Sequence, residues 1–241
     1  MKIYSLTDVG LVRDGNQDSY QTEMLSDDTA FCVVCDGMGG ANAGNIASQQ
    51  AVQFITDYVK RSYREGMDAD AASDLLKNAI ASANIRLYDL SLKSENLNGM
   101  GTTAVAVLVG SDFLAVAHVG DSRAYLVGED LRQLTRDHSM VQHLIETGEL
   151  TPEEAKVHPQ KNVITRALGT EEDVLVDTAV FERIAGECLL LCSDGLSNFV
   201  EPEDICSVLQ ETEPEKAPER LIEIANGNGG GDNITAVTVL L

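Results

Sequence analysis

Six segments of this 241-residue chain are almost wholly apolar, and some of them are separated by only three or four residues. The segments are residues 31–35, 104–109, 113–119, 124–127, 188–192 and 234–241. Unbroken apolarity predicts strands buried on both faces, a pattern that is most common in parallel sheets. A parallel crossover needs about a dozen residues, however, and the linkers 110–112, 120–122 and 128–130 are far shorter. We therefore predict hairpin turns at these linkers and antiparallel strands.

Two long helices are predicted in the first half of the chain. Apolar residues recur every three or four positions within 46–58 and again within 72–90, which gives each helix one apolar stripe. The polar, proline-containing segment 211–219 indicates a connection between two further helices. The predicted fold is α+β: a four-layer α-β-β-α sandwich with two central antiparallel sheets flanked by helices. Because no linker interrupts the pattern, residues 1–241 are predicted to form a single domain.

The charge of the chain restricts its partners. The formal net charge is -22, and a surface of that sign repels nucleic acid and anionic lipid. No apolar run reaches the roughly 18 residues of a membrane-spanning helix, and residues 1–8 do not resemble a signal peptide. We therefore predict a cytoplasmic protein without membrane insertion. The five cysteines are an odd number, and Cys32 and Cys35 are predicted to point to opposite faces of one strand as core residues.

Four aspartates stand at the ends of predicted strands. Asp36, Asp121 and Asp194 directly follow apolar strands, and Asp232 precedes the last strand. Each one alone has a plain explanation, because Asp-Gly, Asp-Ser and Asp-Asn are common turn dipeptides. In antiparallel sheets, however, the end of one strand lies beside the start of its neighbour, so all four can share one edge. Crowded carboxylates repel unless cations neutralise them, and an all-oxygen ligand set favours Mg²⁺ or Mn²⁺ over zinc.

Eight short motifs between residues 13 and 235 strengthen this interpretation. They are RDGNQD at 13–18, DGMGG at 36–40, GTT at 101–103, GDSR at 120–123, DHS at 137–139, TRALG at 165–169, SDGL at 193–196 and DNIT at 232–235. In this order the motifs resemble those of the metal-dependent protein phosphatases of type 2C, and of their bacterial branch in particular. The resemblance extends through the whole chain, and the family fold is the sandwich predicted above from strands and helices.

The resemblance implies a set of metal ligands. Asp36 resembles the carboxylate that bridges two ions, and Gly37 resembles the residue that gives its backbone carbonyl oxygen to the second ion. Asp194 and Asp232 resemble ligands of the first ion. The implied cofactors are two core Mn²⁺ or Mg²⁺ ions and a third, looser ion.

Other positions resemble residues that surround these ions. Asp121 matches a ligand of the third ion, and Asp18 matches a residue that holds water molecules on the second ion. Arg13 resembles the arginine that binds the substrate phosphate, for which its planar fork of donors is suited. The polar segment 138–166, which we call the flap, corresponds to a variable region beside the site. His158 in the flap is a candidate substrate contact; a surface histidine without that role is the alternative.

The implied activity is metal-dependent hydrolysis of phosphoserine and phosphothreonine in proteins. Two ions that share a water molecule lower its pKa, so that a metal-bridging hydroxide attacks phosphorus without a protein base. Met38 stands where eukaryotic relatives have a histidine, a candidate acid for the leaving group, and we expect a metal-bound water to supply that proton. The implied partners are phosphorylated proteins, a serine/threonine kinase and its substrates. We expect a monomer.

Two other functions remain open from the sequence. The chain could be a specialised phosphatase that acts on a single regulator, such as an anti-sigma antagonist, although Arg13 and the full-length flap favour a general enzyme that opposes a kinase. It could also be a silent module that binds phosphoproteins without hydrolysing them. Silent relatives usually lose metal ligands, whereas this chain keeps all the expected ones.

Overall fold

The fold is built from strands that form two sheets and from helices on either side of them. The computed structural model describes residues 1–39, 43–93 and 95–241, so Gly40 of the 36–40 motif lies outside the described residues. The strands are β1 (Lys2–Asp8), β2 (Asp18–Met24), β3 (Ala30–Met38), β4 (Gly101–Thr102), β5 (Ala104–Val109), β6 (Phe113–Val119), β7 (Arg123–Val127), β8 (Leu131–Gln133), β9 (Asp177–Glu182), β10 (Cys188–Cys192) and β11 (Ile234–Leu240). The helices are α1 (Ala43–Ser62), α2 (Ala69–Ser91), α3 (Met140–Glu146), α4 (Pro152–Lys156), α5 (Asp194–Ser197), α6 (Pro202–Glu211) and α7 (Ala217–Gly227), with a short 3₁₀ helix at Glu95–Leu97. Among the described residues, no helix is long and apolar enough to cross a membrane.

The strand pairings of the described residues are all antiparallel. The five-stranded sheet has the order β1-β11-β10-β7-β8. The six-stranded sheet has the order β2-β3-β5-β6-β9, with β4 paired to the end of β3. Helices α1 and α2 cover the outer face of the six-stranded sheet, and α5, α6 and α7 cover that of the five-stranded sheet. The predicted four-layer sandwich is confirmed.

Strand β3 shows why the central strands are apolar along their whole length. Phe31, Val33 and Cys35 pack against α1 and α2, whereas Cys32 and Val34 pack between the two sheets. All five side chains are fully buried, and burial of a valine or phenylalanine side chain stabilises a fold by about 1.5–3 kcal/mol. The predicted opposite orientation of Cys32 and Cys35 is confirmed, and both are free thiols in the core.

The linker 120–122 is not the hairpin turn that the sequence predicts. It joins β6 of the six-stranded sheet to β7 of the five-stranded sheet, so the chain passes here from one layer to the other. Packed sheets lie about 10 Å apart, a distance that a three-residue linker can span. Linker length therefore does not distinguish a hairpin within one sheet from a connection between two sheets. Gly120 in this linker has a φ of +103°, a conformation that glycine adopts readily. The predicted hairpins at 110–112 and 128–130 are confirmed.

Four strands that the sequence pattern does not reveal lie at the sheet edges. These are β1 and β8 in the five-stranded sheet and β2 and β9 in the six-stranded sheet. They carry polar residues and are mostly only partly buried. The two-residue strand β4 is also missed. All six predicted strands lie in the sheet interiors, where both faces are covered.

The flap lies between β8 and β9 and contains α3 and α4. A capping box formed by Thr151 and Glu154 begins α4. Lys156, the last residue of α4, forms an ion pair with Glu201 just before α6, with 2.6 Å between Nζ and Oε2. Both side chains are exposed, so the pair stabilises the fold little. A distinct flap subdomain within a single domain stays a prediction.

Candidate active site

One cavity of about 270 Å³, which we call the aspartate cavity, brings the four predicted aspartates together. Asp36 lies near the end of β3 and Asp121 in the linker between the sheets, while Asp194 begins α5 directly after β10 and Asp232 precedes β11. Because β10 and β11 are antiparallel neighbours, the exit of one lies beside the entrance of the other. The cavity is also lined by Arg13, Gln17, Gly37, Met38, Gly39, Thr103, Asn162, Ile164 and Asn233.

Asp36 is held through its backbone by two threonines. The Asp36 N–H donates to Thr103 Oγ1 at 2.9 Å, and the Asp36 carbonyl oxygen accepts from the Thr103 N–H and the Thr102 hydroxyl, both at 2.8 Å. The Thr103 hydroxyl also lies 2.7 Å from the Ser122 hydroxyl. The 101–103 motif therefore connects the strand of Asp36 to the linker that carries Asp121. Sequence reasoning missed this role because the contacts join residues that are distant along the chain.

Asp18 lies behind the aspartate cavity and is not part of its lining. It stands directly opposite Asp36 in the pairing of β2 and β3. Its Oδ2 atom accepts hydrogen bonds from the hydroxyls of Ser193 and Thr235, both at 2.6 Å. Its Oδ1 atom is buried and has no hydrogen-bond partner among the described residues. This placement fits a residue that acts on an ion through water, a role that stays a prediction.

Arg13 reaches the cavity from the loop between β1 and β2. Its Nη2 atom donates to Asp232 Oδ2 at 2.8 Å, and 53% of its side chain is exposed. Asn233 holds this loop, because its Oδ1 accepts from the Gln17 N–H at 2.8 Å and its Nδ2 donates to two loop carbonyl oxygens at 2.9 and 3.0 Å. Sequence reasoning assigned no role to Asn233, since the 232–235 motif drew attention only to its aspartate.

Burial and mutual repulsion raise the pKa values of Asp18, Asp36, Asp121 and Asp194, and burial has the larger effect. The pKa of Asp18 is raised to about 7, and that of Asp121, which also faces Asp194, is raised to about 8. Burial and then the charges of Asp18, Asp194 and Asp121 raise the pKa of Asp36 well above its ordinary value. Burial and then Asp232 raise the pKa of Asp194. Carboxylates this close do not all ionise without a compensating positive charge.

The donor atoms of the aspartate cavity suit a hard divalent cation. The predicted ligands are carboxylate oxygens and one backbone carbonyl oxygen, which Mg²⁺ and Mn²⁺ prefer. Asp194 Oδ1 is buried without a hydrogen-bond partner among the described residues, and a cation beside it would neutralise the crowded charges. At Gly37 a Cβ atom would lie 2.1 Å from the Gly44 carbonyl oxygen. A side chain is therefore excluded at Gly37, and its backbone remains accessible to the cavity.

The spacing of the predicted ligands is wider than that of a closed metal site. Asp36, Asp194 and Asp232 line the same cavity, but their carboxylate oxygens do not form a group within 4.8 Å of one another. Carboxylates repel each other, and Asp232 is drawn to Arg13 instead. Among the described residues, the group that does meet this distance is His118, His138 and Asp177.

The motifs of this chain match those of a known family over most of its length. A family model described as protein phosphatase 2C matches residues 12–224. This chain belongs to the protein phosphatase 2C family. Among its protein phosphatase 2C relatives is the serine/threonine phosphatase stp of Listeria monocytogenes serotype 4b (strain F2365). That protein is 41% identical over 236 residues, which cover 97% of this chain and 93% of the relative.

Solved structures of protein phosphatase 2C relatives have the same fold. The Mycobacterium tuberculosis serine/threonine phosphatase PstP/Ppp matches with a TM-score of 0.89 and 37% identity, covering 98% of this chain and 97% of the other. The catalytic domain of the serine threonine protein phosphatase PstP, in complex with two manganese ions, matches with a TM-score of 0.85 and 35% identity. Here the match covers 98% of this chain and 96% of the other. The family that the motifs predict is confirmed.

In this protein phosphatase 2C chain, two further motifs are tied together by one ion pair. Arg123 donates from Nε to both carboxylate oxygens of Asp137 at 2.9 and 3.0 Å, and from Nη2 to Oδ2 at 2.6 Å. Its Nη1 donates to the Tyr125 hydroxyl at 2.9 Å. All three nitrogens of the Arg123 guanidinium thus donate a hydrogen bond, and its charge partly offsets the rise in the pKa of Asp121. Arg123 therefore acts by fixing the 120–123 motif against the 137–139 motif.

A second cavity of about 390 Å³, which we call the flap cavity, lies between the flap and helices α5 and α6. It shares Asp121 and Asp194 with the aspartate cavity, so the two cavities adjoin at these residues. Lys156 and Lys161 of the flap also line it.

His158 lines neither of these two cavities. Its Nδ1 accepts a hydrogen bond from the Gln160 N–H at 3.2 Å, which stabilises a local turn. Its predicted contact with substrate stays a prediction. The flap residues that line the aspartate cavity are Asn162 and Ile164. No motif or periodic pattern marks them, so sequence reasoning missed both.

Proposed function

We propose that this protein phosphatase 2C chain hydrolyses phosphoserine and phosphothreonine in proteins with the help of Mn²⁺ or Mg²⁺. The observation that carries the proposal is the convergence of four aspartates and Arg13 on one cavity. Two comparisons support it: a relative named as a serine/threonine phosphatase is 41% identical, and a relative with two manganese ions is 35% identical.

The proposed ligands are Asp36, Asp194 and Asp232 together with the carbonyl oxygen of Gly37. When bound, the ions supply a water molecule that is acidic enough to lose its proton near neutral pH. Asp18 orients the surrounding water, and its own carboxylate is fixed by two hydroxyl donors. The threonine contacts of Asp36 keep its carboxylate in place without engaging its side-chain oxygens.

Arg13 is the proposed phosphate-binding residue. Its side chain is half exposed and pairs with Asp232 through a single hydrogen bond, so it can turn from the carboxylate to a phosphate. The guanidinium then presents two parallel N–H groups to two phosphate oxygens. Met38 lines the cavity but has no proton to give, so the leaving alkoxide takes its proton from water.

Several finer assignments complete the proposal. Asp121 and Asp194 hold a third ion, and the enzyme acts as a monomer in the cytoplasm on proteins phosphorylated by a serine/threonine kinase. The retained carboxylates argue against a silent phosphoprotein-binding module.

Phosphate release from a phosphothreonine peptide tests the proposal. Release is expected to depend on Mn²⁺, to stop in EDTA, and to fall roughly 100-fold in kcat/KM for Asp232→Asn because a metal ligand is weakened. Asp74→Asn, on the exposed face of α2, is the matched control and should retain wild-type activity. Full activity of Asp232→Asn, or activity that persists in EDTA, would refute the metal assignment. Peptide binding without any hydrolysis would indicate a silent module.

A further inference from the structure

We propose that His138 is a positioning residue for the linker that carries Asp121, and that it thereby sets how tightly the third ion binds. The inference rests on the proposed function, because Asp121 is assigned there as a ligand of that ion. His138 belongs to the 137–139 motif, to which the sequence gives no role. It does not line the aspartate cavity or the flap cavity, so it acts through its neighbours.

His138 forms hydrogen bonds with both backbone groups of Gly120. Its ring Nδ1 atom accepts a hydrogen bond from the Gly120 N–H at 3.0 Å, and its backbone N–H donates to the Gly120 carbonyl oxygen at 2.9 Å. Gly120 directly precedes Asp121 in the linker. On the other side, the Ser122 hydroxyl lies 2.7 Å from the Thr103 hydroxyl. Asp121 is therefore held from both of its neighbours.

The linker needs this support because of its glycine. A φ of +103° at Gly120 is readily adopted by glycine alone, and glycine also samples many other conformations. One conformation is kept only if contacts from outside the linker select it. The two hydrogen bonds from His138 supply that selection and so restrict where the Asp121 carboxylate can point.

Asp177 fixes the proton of His138 on the far side of the ring. A ring nitrogen that accepts from an N–H carries no proton, so neutral His138 has its proton on Nε2. The Nε2–H donates to Asp177 Oδ2 at 3.2 Å, and the Arg166 Nη1 donates to Asp177 Oδ1 at 2.7 Å. The ring also stacks on His118 with 4.7 Å between centroids. A chain of contacts thus runs from Arg166 to the Gly120 peptide.

The histidine cluster is better explained by this relay than by a metal ion of its own. His118, His138 and Asp177 have the spacing that an ion could use. However, Arg166 Nη1 lies 3.0 Å from His138 Nε2, and a guanidinium repels a second cation at that distance. His118 Nε2 lies 2.8 Å from the Arg136 carbonyl oxygen, to which it donates.

Amide hydrogen exchange in EDTA tests the positioning without any ion. His138→Leu removes the acceptor at similar size, whereas His138→Asn offers an amide oxygen near the position of Nδ1. Exchange of the Gly120 N–H should be about 10-fold faster in His138→Leu, because loss of such a hydrogen bond is worth roughly 1.4 kcal/mol. It should be close to wild type in His138→Asn. His143→Leu, which changes an exposed histidine of α3, is the matched control and should change nothing.

Calorimetric titration with Mn²⁺ tests the consequence for the third ion. His138→Leu should keep the tight sites and raise the Kd of the weakest site by roughly 10-fold, and His138→Asn should restore most of that affinity. Equal Gly120 exchange in wild type and His138→Leu would overturn the inference, as would an asparagine variant no better than leucine. Absence of Mn²⁺ binding in the wild type would refute the proposed function and the ion half of this inference. The exchange rates of the Gly120 N–H would still show whether His138 positions the linker.

Discussion

Asp18 and Asp36 face each other directly across the pairing of β2 and β3. Like charges in directly opposite positions destabilise an antiparallel pair, and here burial also raises the pKa values of both carboxyl groups. The hydroxyls of Ser193 and Thr235 stabilise only the Asp18 carboxylate. A fold keeps such a pair where the site requires it, since local strain collects at functional sites.

The stability of the metal-free protein is expected to fall as the pH rises. A carboxyl group whose pKa is raised by folding stabilises the fold while protonated, and this contribution is lost as the pH rises through the folded-state pKa. That pKa is about 7 for Asp18 and about 8 for Asp121. Melting temperatures in EDTA should therefore decrease from about pH 4, the ordinary pKa of an aspartate, to about pH 8 and then level off, and the decrease should be less steep in Asp18→Asn. Asp74→Asn should keep the wild-type slope; an unchanged slope in Asp18→Asn would contradict the assignment.

Asp121→Asn is expected to spare the core ions and to slow turnover. Asp121 lines both cavities but is placed on the linker, apart from the strand ends that carry the other aspartates. Calorimetry should show unchanged tight Mn²⁺ sites, while kcat at saturating Mn²⁺ falls by roughly 10-fold. Equal turnover of variant and wild type would count against a working third ion.

Thr103→Val is expected to destabilise the chain by about 1–3 kcal/mol, because the buried Asp36 N–H loses its acceptor and Ser122 loses its partner. Thr103→Ser keeps the hydroxyl and should recover most of the loss. Urea unfolding of both variants in EDTA measures the difference without any effect of bound ions. Wild-type stability of Thr103→Val, which keeps the methyl group, would show that the hydroxyl does not stabilise the chain.

Arg13→Lys is expected to be nearly as impaired as Arg13→Ala on a phosphothreonine peptide. Lysine keeps the charge but not the planar fork that binds two phosphate oxygens, so we expect kcat/KM to fall by roughly 10- to 100-fold in both variants. Arg220→Lys, on the exposed surface of α7, is the control. Recovery of wild-type kcat/KM by lysine would show that Arg13 acts only as a positive charge.

The strands in the interiors of the sheets can be predicted from the sequence, and the strands at the sheet edges cannot. Strands such as β5 and β10 are covered on both faces, so their residues are apolar throughout and stand out as runs. Strands β1 and β2 have one free edge and carry polar side chains. Their sequences therefore show neither a continuous apolar run nor an alternation of apolar and polar residues. The linker 120–122 is long enough either for a hairpin turn or for a connection between two packed sheets. Its length therefore does not show which of the two it forms, and the predicted hairpin is wrong.

The candidate site follows the same division. The aspartates could be predicted because each one stands beside the end or the start of an apolar strand, which is a local pattern. The residues that hold them, such as Thr103, Asn233 and His138, make their contacts with distant parts of the chain. The residues next to them in the sequence do not indicate these partners, so their roles are visible only in the folded structure.

The proposed ligands are divided between the two sheets: Asp36 lies near the end of a strand of the six-stranded sheet, and Asp194 and Asp232 flank strands of the five-stranded sheet. A divalent ion bound by all three is a cross-link between the layers, and neither layer alone holds a complete set. Chelation should therefore lower resistance to heat and to proteolysis along the entire polypeptide, because an ion that binds only the assembled form shifts the global folding equilibrium.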